Sequence, residues 1–132
     1  MSHEIVNLAI EAVRFFLANG EMLPRPSGLS KEFEKKNAVF VSIKKNNKLR
    51  GCIGSITPNT SNLGNEIILS AVNAATKDPR FPPISKSEFS SNLIFSVDVL
   101  TPLEKLTDLS KQDPKVYGLV INDKKKSGLL LP

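Results

Sequence analysis

The chain has 132 residues, 40% hydrophobic and 23% charged, with one cysteine, one histidine and a formal net charge of +5. That length and balance describe a single folded domain, and they exclude a disordered chain, an internal disulfide framework and a zinc-ligand cluster. No apolar run approaches the ~20 residues that span a bilayer, and Met1-Ser2-His3-Glu4 lacks the basic-then-apolar order of an export signal, so the expected compartment is cytoplasmic.

Ile5, Leu8, Ala9, Ala12, Val13, Phe16 and Leu17 recur at helical spacing. With Ser2 to cap the start and Asn19-Gly20 to end it, they predict a helix over His3 to Ala18. Pro24 and Pro26 make Met22 to Gly28 a connecting loop. From Ala38 to Lys45, Val39, Val41 and Ile43 alternate with Phe40, Ser42 and Lys44, the mark of a half-buried strand, and a second strand runs from Lys48 to Ile56.

Asn46-Asn47 between these strands favours positive φ and a two-residue turn. A plain two-residue hairpin, however, pairs Val41 with Cys52 and Ile43 with Arg50 and so mixes polar and apolar side chains on one face. Burial favours the segregated register, Val41 with Ile53 and Ile43 with Gly51, reached through a longer loop or a bulge. In either register Arg50 and Cys52, two residues apart, are expected to share a face.

Thr57-Pro58-Asn59 breaks the second strand, and Ser61 or Asn62 caps a helix that carries Leu63, Ile67, Ala71, Ala74 and Ala75 and ends near Thr76. Asp78-Pro79-Arg80-Phe81-Pro82-Pro83 reads as a rigid corner that packs Phe81 into the core. Leu93 to Leu100 alternates as a strand, with Asp98 at the sheet surface. Thr101-Pro102 ends it, Leu103 to Ser110 reads as a loop with a helical turn, and Tyr117 to Asn122 with Gly128 to Leu131 form a hairpin around Asp123 to Ser127. The apolar ending Leu129-Leu130-Leu131-Pro132 predicts a shortened chain, or a strand covered by another element or by a second chain through self-association.

The chemistry concentrates in Leu49-Arg50-Gly51-Cys52-Ile53-Gly54-Ser55. Glycines weaken a strand, so Gly51 and Gly54 imply a bend or the close approach of another group, a substrate or the protein's own backbone. Cys52 has two readings. One is a nucleophilic or redox thiol, its ionisation aided by Arg50, with Asp78 and Arg80 lining the approach; the other is a small buried hydrophobe. Arg50 and Arg80 can hold an anionic ligand bidentately, although pairing of Arg80 with Asp78 serves structure equally well. His3 at the chain start reads as a surface residue, which leaves no histidine base. The basic cluster Lys44, Lys45, Lys48 and Arg50 has no interleaved aromatic to stack bases, which leaves nucleic-acid binding through this hairpin as the weaker alternative to an enzyme or a docking module. No phosphate-loop or dinucleotide glycine pattern occurs.

Four stretches in order resemble the AMMECR domain family: Leu49-Arg50-Gly51-Cys52-Ile53-Gly54 after a Val-Phe-Val strand, Asp78-Pro79-Arg80-Phe81-Pro82-Pro83, Val99-Leu100-Thr101-Pro102, and Gly118-Leu119-Val120 with Gly128-Leu129-Leu130-Leu131-Pro132. The resemblance covers nearly the whole chain as one domain. It implies an α+β fold, with a central, largely antiparallel sheet flanked by helices and a smaller subdomain. It also implies a C-terminal segment beyond Pro132 that this sequence lacks. The companions it implies are a Memo-like protein and a radical S-adenosylmethionine protein; it names no reaction and no cofactor.

Overall fold

A computed structural model of the chain describes residues 2–90, 92–101, 119–122 and 127–130. The elements run α1 (Ser2–Asn19), a 3-10 turn (Lys31–Glu34), β1 (Ala38–Lys45), β2 (Lys48–Gly54), α2 (Leu63–Thr76), β3 (Leu93–Leu100), β4 (Leu119–Asn122) and β5 (Ser127–Leu130). Three strands form an antiparallel sheet in the order β2-β1-β3, while β4 and β5 form a two-stranded antiparallel pair. Two helices with an antiparallel sheet make an α+β fold, as expected. The expected turn over Leu103 to Ser110 and the closing Leu131-Pro132 lie outside the described residues.

The core follows from the two periodicities. Val39, Val41 and Ile43 on the inner face of β1 are fully buried, together with Leu8, Ala9, Ala12 and Val13 of α1 and Ile67, Ala71 and Ala74 of α2. Burying an aliphatic side chain of this size contributes about 1.5–3 kcal/mol. The 3-10 turn, which no periodic pattern announces, inserts Phe33 into the same core. No helix among the described residues is long and apolar enough to cross a membrane.

The hairpin satisfies both sequence signals at once. Lys45 pairs with Lys48 across a two-residue turn in which Asn46 and Asn47 have φ of 52° and 65°, so the tight turn is kept. Lys44 then pairs with Leu49 but Ile43 with Gly51, which leaves Arg50 as the extra residue of a β-bulge. The bulge restores the segregated register, with Val41 opposite Ile53 and Ser42 opposite Cys52. β2 ends at Gly54 rather than Ile56; past it the Ser55 N–H still donates to the Val39 carbonyl at 3.3 Å, and the chain turns toward α2.

Both glycines of this stretch have packing reasons. A Cβ on Gly51 would overlap the carbonyl of Ala74, because α2 lies directly against β2 there. A Cβ on Gly54 would overlap the Val39 carbonyl and the backbone and ring of Phe40. At both positions the close approach that a glycine permits is made by the protein's own backbone.

Candidate functional site

Among the described residues β2 is an edge strand, paired with β1 on one side and with no strand on the other. At Cys52 the outward main-chain groups are met by the loop that follows α2. The Cys52 N–H donates to Asp78 Oδ2 at 3.0 Å, and Arg80 Nη2 donates to the Cys52 carbonyl at 3.5 Å. A carboxylate and a guanidinium thus stand where a neighbouring strand's acceptor and donor would be.

The loop is built to deliver them. Asp78 follows the last turn of α2; the Phe81 N–H donates back to the Asp78 carbonyl at 3.1 Å, and the Ile84 N–H to the Ala75 carbonyl at 2.8 Å. Pro79, Pro82 and Pro83 restrict the backbone between these anchors. It is Ile84, and not Phe81, that enters the core. Phe81 stays half-buried, with the Arg80 guanidinium 5.4 Å from its ring centroid. The side chain of Asp78 is 3% exposed and that of Arg80 is 56% exposed.

Asp78 also accepts from Arg80 Nε at 3.0 Å, Arg80 Nη2 at 2.8 Å and the Arg80 main-chain N–H at 3.0 Å. The guanidinium of Arg80 first, then the main-chain donors of Cys52 and Arg80, hold the Asp78 carboxyl well below the usual carboxylate range, overcoming the opposing effect of burial. Asp78 in turn raises the pKa of Arg80.

The Cys52 thiol points to the outer face of the sheet, away from α2. Its Sγ is 3.3 Å from Ser42 Oγ, the cross-strand partner on β1, and Ser42 stands opposite Ser96 on β3. Cys52 is half-buried, and it is not among the core residues.

Arg50 goes elsewhere. Its Nε and Nη2 donate to the two carboxylate oxygens of Glu88 at 2.8 and 2.9 Å, and Lys45 Nζ reaches Glu88 Oε2 at 3.1 Å. Glu88 is placed by a turn in which the Glu88 and Phe89 N–H groups donate to the Ser85 carbonyl, with Phe89 packed edge-on against Phe95 of β3. Arg50 chiefly, and Lys45 with it, lower the Glu88 pKa. No hydrogen bond joins Arg50 to Cys52, so the arginine expected to support the thiol is committed to a carboxylate the sequence reading passed over.

A second carboxylate was also missed. Glu66 on the first turn of α2 is fully buried and accepts from the main-chain N–H of Asn59 and Thr60 at 2.9 and 2.8 Å and from Thr60 Oγ1 at 2.9 Å. It ties the link between β2 and α2 to the helix start, where Asn62 caps by accepting from the Asn65 N–H at 2.8 Å. An acidic residue in a first helical turn, after a polar loop rich in main-chain donors, is the signal that was available. Among the described residues no group of three or more His, Cys, Asp or Glu is disposed to hold a metal ion.

A family model described as AMMECR1 matches residues 6–132. The chain belongs to the AMMECR1 family. A Thermotoga maritima protein is 38% identical over 98% of this chain, and a Clostridium acetobutylicum protein, CA_C1420, is 43% identical over 96% of it. The chain spans 75% of the Thermotoga protein but 27% of the Clostridium one. The crystal structure of the uncharacterized protein PH0010 from Pyrococcus horikoshii superposes with a TM-score of 0.84 at 34% identity, covering 98% of this chain and 68% of that one. The similarity therefore carries family and fold, and none of these descriptions assigns an activity.

Proposed function

We propose that this AMMECR1-family domain is an enzyme or enzyme component in which Cys52 supplies a thiol nucleophile to a substrate carrying an anionic group. The observation that supports this most is the position of Cys52: half-buried on the outer face of the sheet, with its main-chain N–H held by Asp78 and its carbonyl 3.5 Å from Arg80 Nη2, instead of sunk in the core as an inert cysteine would be. The thiol releases its proton to water. The sulfur lone pair then forms a bond to the electrophilic centre, and the leaving group departs with the bonding pair. With a disulfide as electrophile the same attack expels the second sulfur as a thiolate, which is the redox variant of this reading. Arg80 is the arginine suited to the anionic group, since it is more than half exposed and no hydrogen bond among the described residues uses its Nη1. Arg50 is occupied by Glu88.

The test compares alkylation by iodoacetate and iodoacetamide at one pH, on the folded protein and on an unfolded control. An anion-receiving thiol site raises the ratio of the charged to the neutral reagent's rate on folding. A ratio unchanged on folding would remove the anionic substrate.

A second reading is a non-catalytic docking module, with a Memo-like or radical S-adenosylmethionine protein as partner. It draws on Ile94, which is 61% exposed on β3, next to Ser96 on the face that carries Cys52. Under this reading Cys52→Ala leaves partner binding unchanged and Arg50→Glu weakens it; under the first reading Cys52→Ala abolishes turnover.

A further inference from the structure

We infer that the free edge of β3 is a pairing surface for a second copy of this chain, β3 meeting its counterpart antiparallel across a two-fold axis at Val97. The inference is independent of the reading of Cys52.

The direction of the main-chain groups follows from the two ladders. The Cys52 N–H goes to Asp78 and so points away from β1, which makes Ser42, opposite it, a residue whose own N–H and carbonyl face β3. On β3 the partner of Ser42 is Ser96, in a register without a shift. Ser96 therefore faces back to β1, and Phe95, Val97 and Val99 direct their main-chain groups outward. The Leu93 N–H, the next in that outward series, leaves the ladder for the Ser90 carbonyl at 3.2 Å. Among the described residues no hydrogen bond takes up the outward N–H and carbonyl groups of Phe95, Val97 or Val99.

The two edges of the sheet are finished differently. β2 carries Lys48, Arg50 and a bulge, and Asp78 occupies its Cys52 N–H, all of which discourage strand addition. β3 has eight residues with no proline, lysine or arginine, and Asp98 is its one charge. Of the four exposed large hydrophobics among the described residues, two, Ile94 and Val99, are on β3. An edge of this kind is a template for another strand.

The sequence of β3 suits a second β3 as that strand. With the axis at Val97, Phe95 lies opposite the partner's Val99 and Val97 opposite the partner's Val97, which continues the apolar inner face of the sheet. On the outer face Ile94 lies opposite the partner's Leu100, and Ser96 opposite the partner's Asp98. Both exposed apolar side chains gain apolar neighbours, and the two Asp98 carboxylates do not face each other. This axis is the one that pairs all three outward residues of each copy with one another, through about six main-chain hydrogen bonds. The result is one continuous sheet with three strands from each copy and a self-complementary interface.

Sedimentation of the 132-residue chain over a range of concentrations should show a monomer–dimer equilibrium. Ser96 is exposed, so a charge placed there reads the register without disturbing the monomer. Ser96→Asp should weaken dimerisation and Ser96→Lys should strengthen it, each by about tenfold, because the axis repeats the contact with Asp98. Amide exchange at Phe95, Val97 and Val99 should slow as concentration rises, which contact through another surface would not produce. A chain that stays monomeric up to about 1 mM would overturn the inference and leave the edge to an extended segment of another protein. A dimer whose strength neither Ser96 variant changes would overturn it too, placing the contact elsewhere, as on β5.

Discussion

The Cys52 main-chain N–H donates to the carboxylate of Asp78 at 3.0 Å across 26 residues of sequence, and through this bond the loop after α2 takes up a main-chain donor of β2 that β1 does not. An unpaired edge invites pairing with another chain, so the bond has a protective as well as a positioning effect.

Asp78→Ala removes a buried acceptor of four donated hydrogen bonds and leaves the Cys52 N–H without its partner. We expect a loss of about 2–3 kcal/mol, tempered because Arg80 regains water, measured as a lower midpoint in urea unfolding. The pH dependence has the same origin. The Asp78 and Glu88 carboxyls ionise at lower pH folded than unfolded, so the unfolded chain binds more protons and stability falls as pH falls. Stability should be level from neutral pH down to the ordinary carboxylate range near about 4 and decline below it. In the Asp78→Ala protein the decline should be shallower.

Gly51→Ala should be among the most damaging single substitutions in the sheet, because the new Cβ meets the backbone of Ala74 and not a side chain that can turn aside. A cost of about 3 kcal/mol is expected, visible as a lower thermal midpoint. Retained stability would mean that α2 can move off β2.

Glu66→Ala should cost about 2–3 kcal/mol, since it strands the N–H groups of Asn59 and Thr60. Faster amide exchange at these two residues, ahead of any change in β1, would show the link from β2 to α2 loosening first.

Much of this architecture was legible in the sequence. The strands Ala38–Lys45 and Leu93–Leu100 and the end of α2 at Thr76 follow from period-two and helical patterns that burial enforces residue by residue. The hairpin register was legible as a conflict, a tight Asn-Asn turn against a segregated face, and the bulge at Arg50 is how both are met. What remained hidden depends on contacts between residues distant in sequence. Glu88 has no pattern to mark it as the partner of Arg50 38 residues away, and Phe81 looked like the core residue of its loop because a turn's aim cannot be read from composition. Phe33 enters the core from a turn too short to show a period.

The central claim is that Cys52 is a functional thiol on the outer face of the sheet, and the rate of its alkylation against pH, on folded protein and an unfolded control, tests it most directly. The account predicts reaction of the folded protein at a rate within reach of the unfolded control's. Reaction only after unfolding would contradict it, making Cys52 a packing residue and leaving Arg80 and the outer face of the sheet to a docking role.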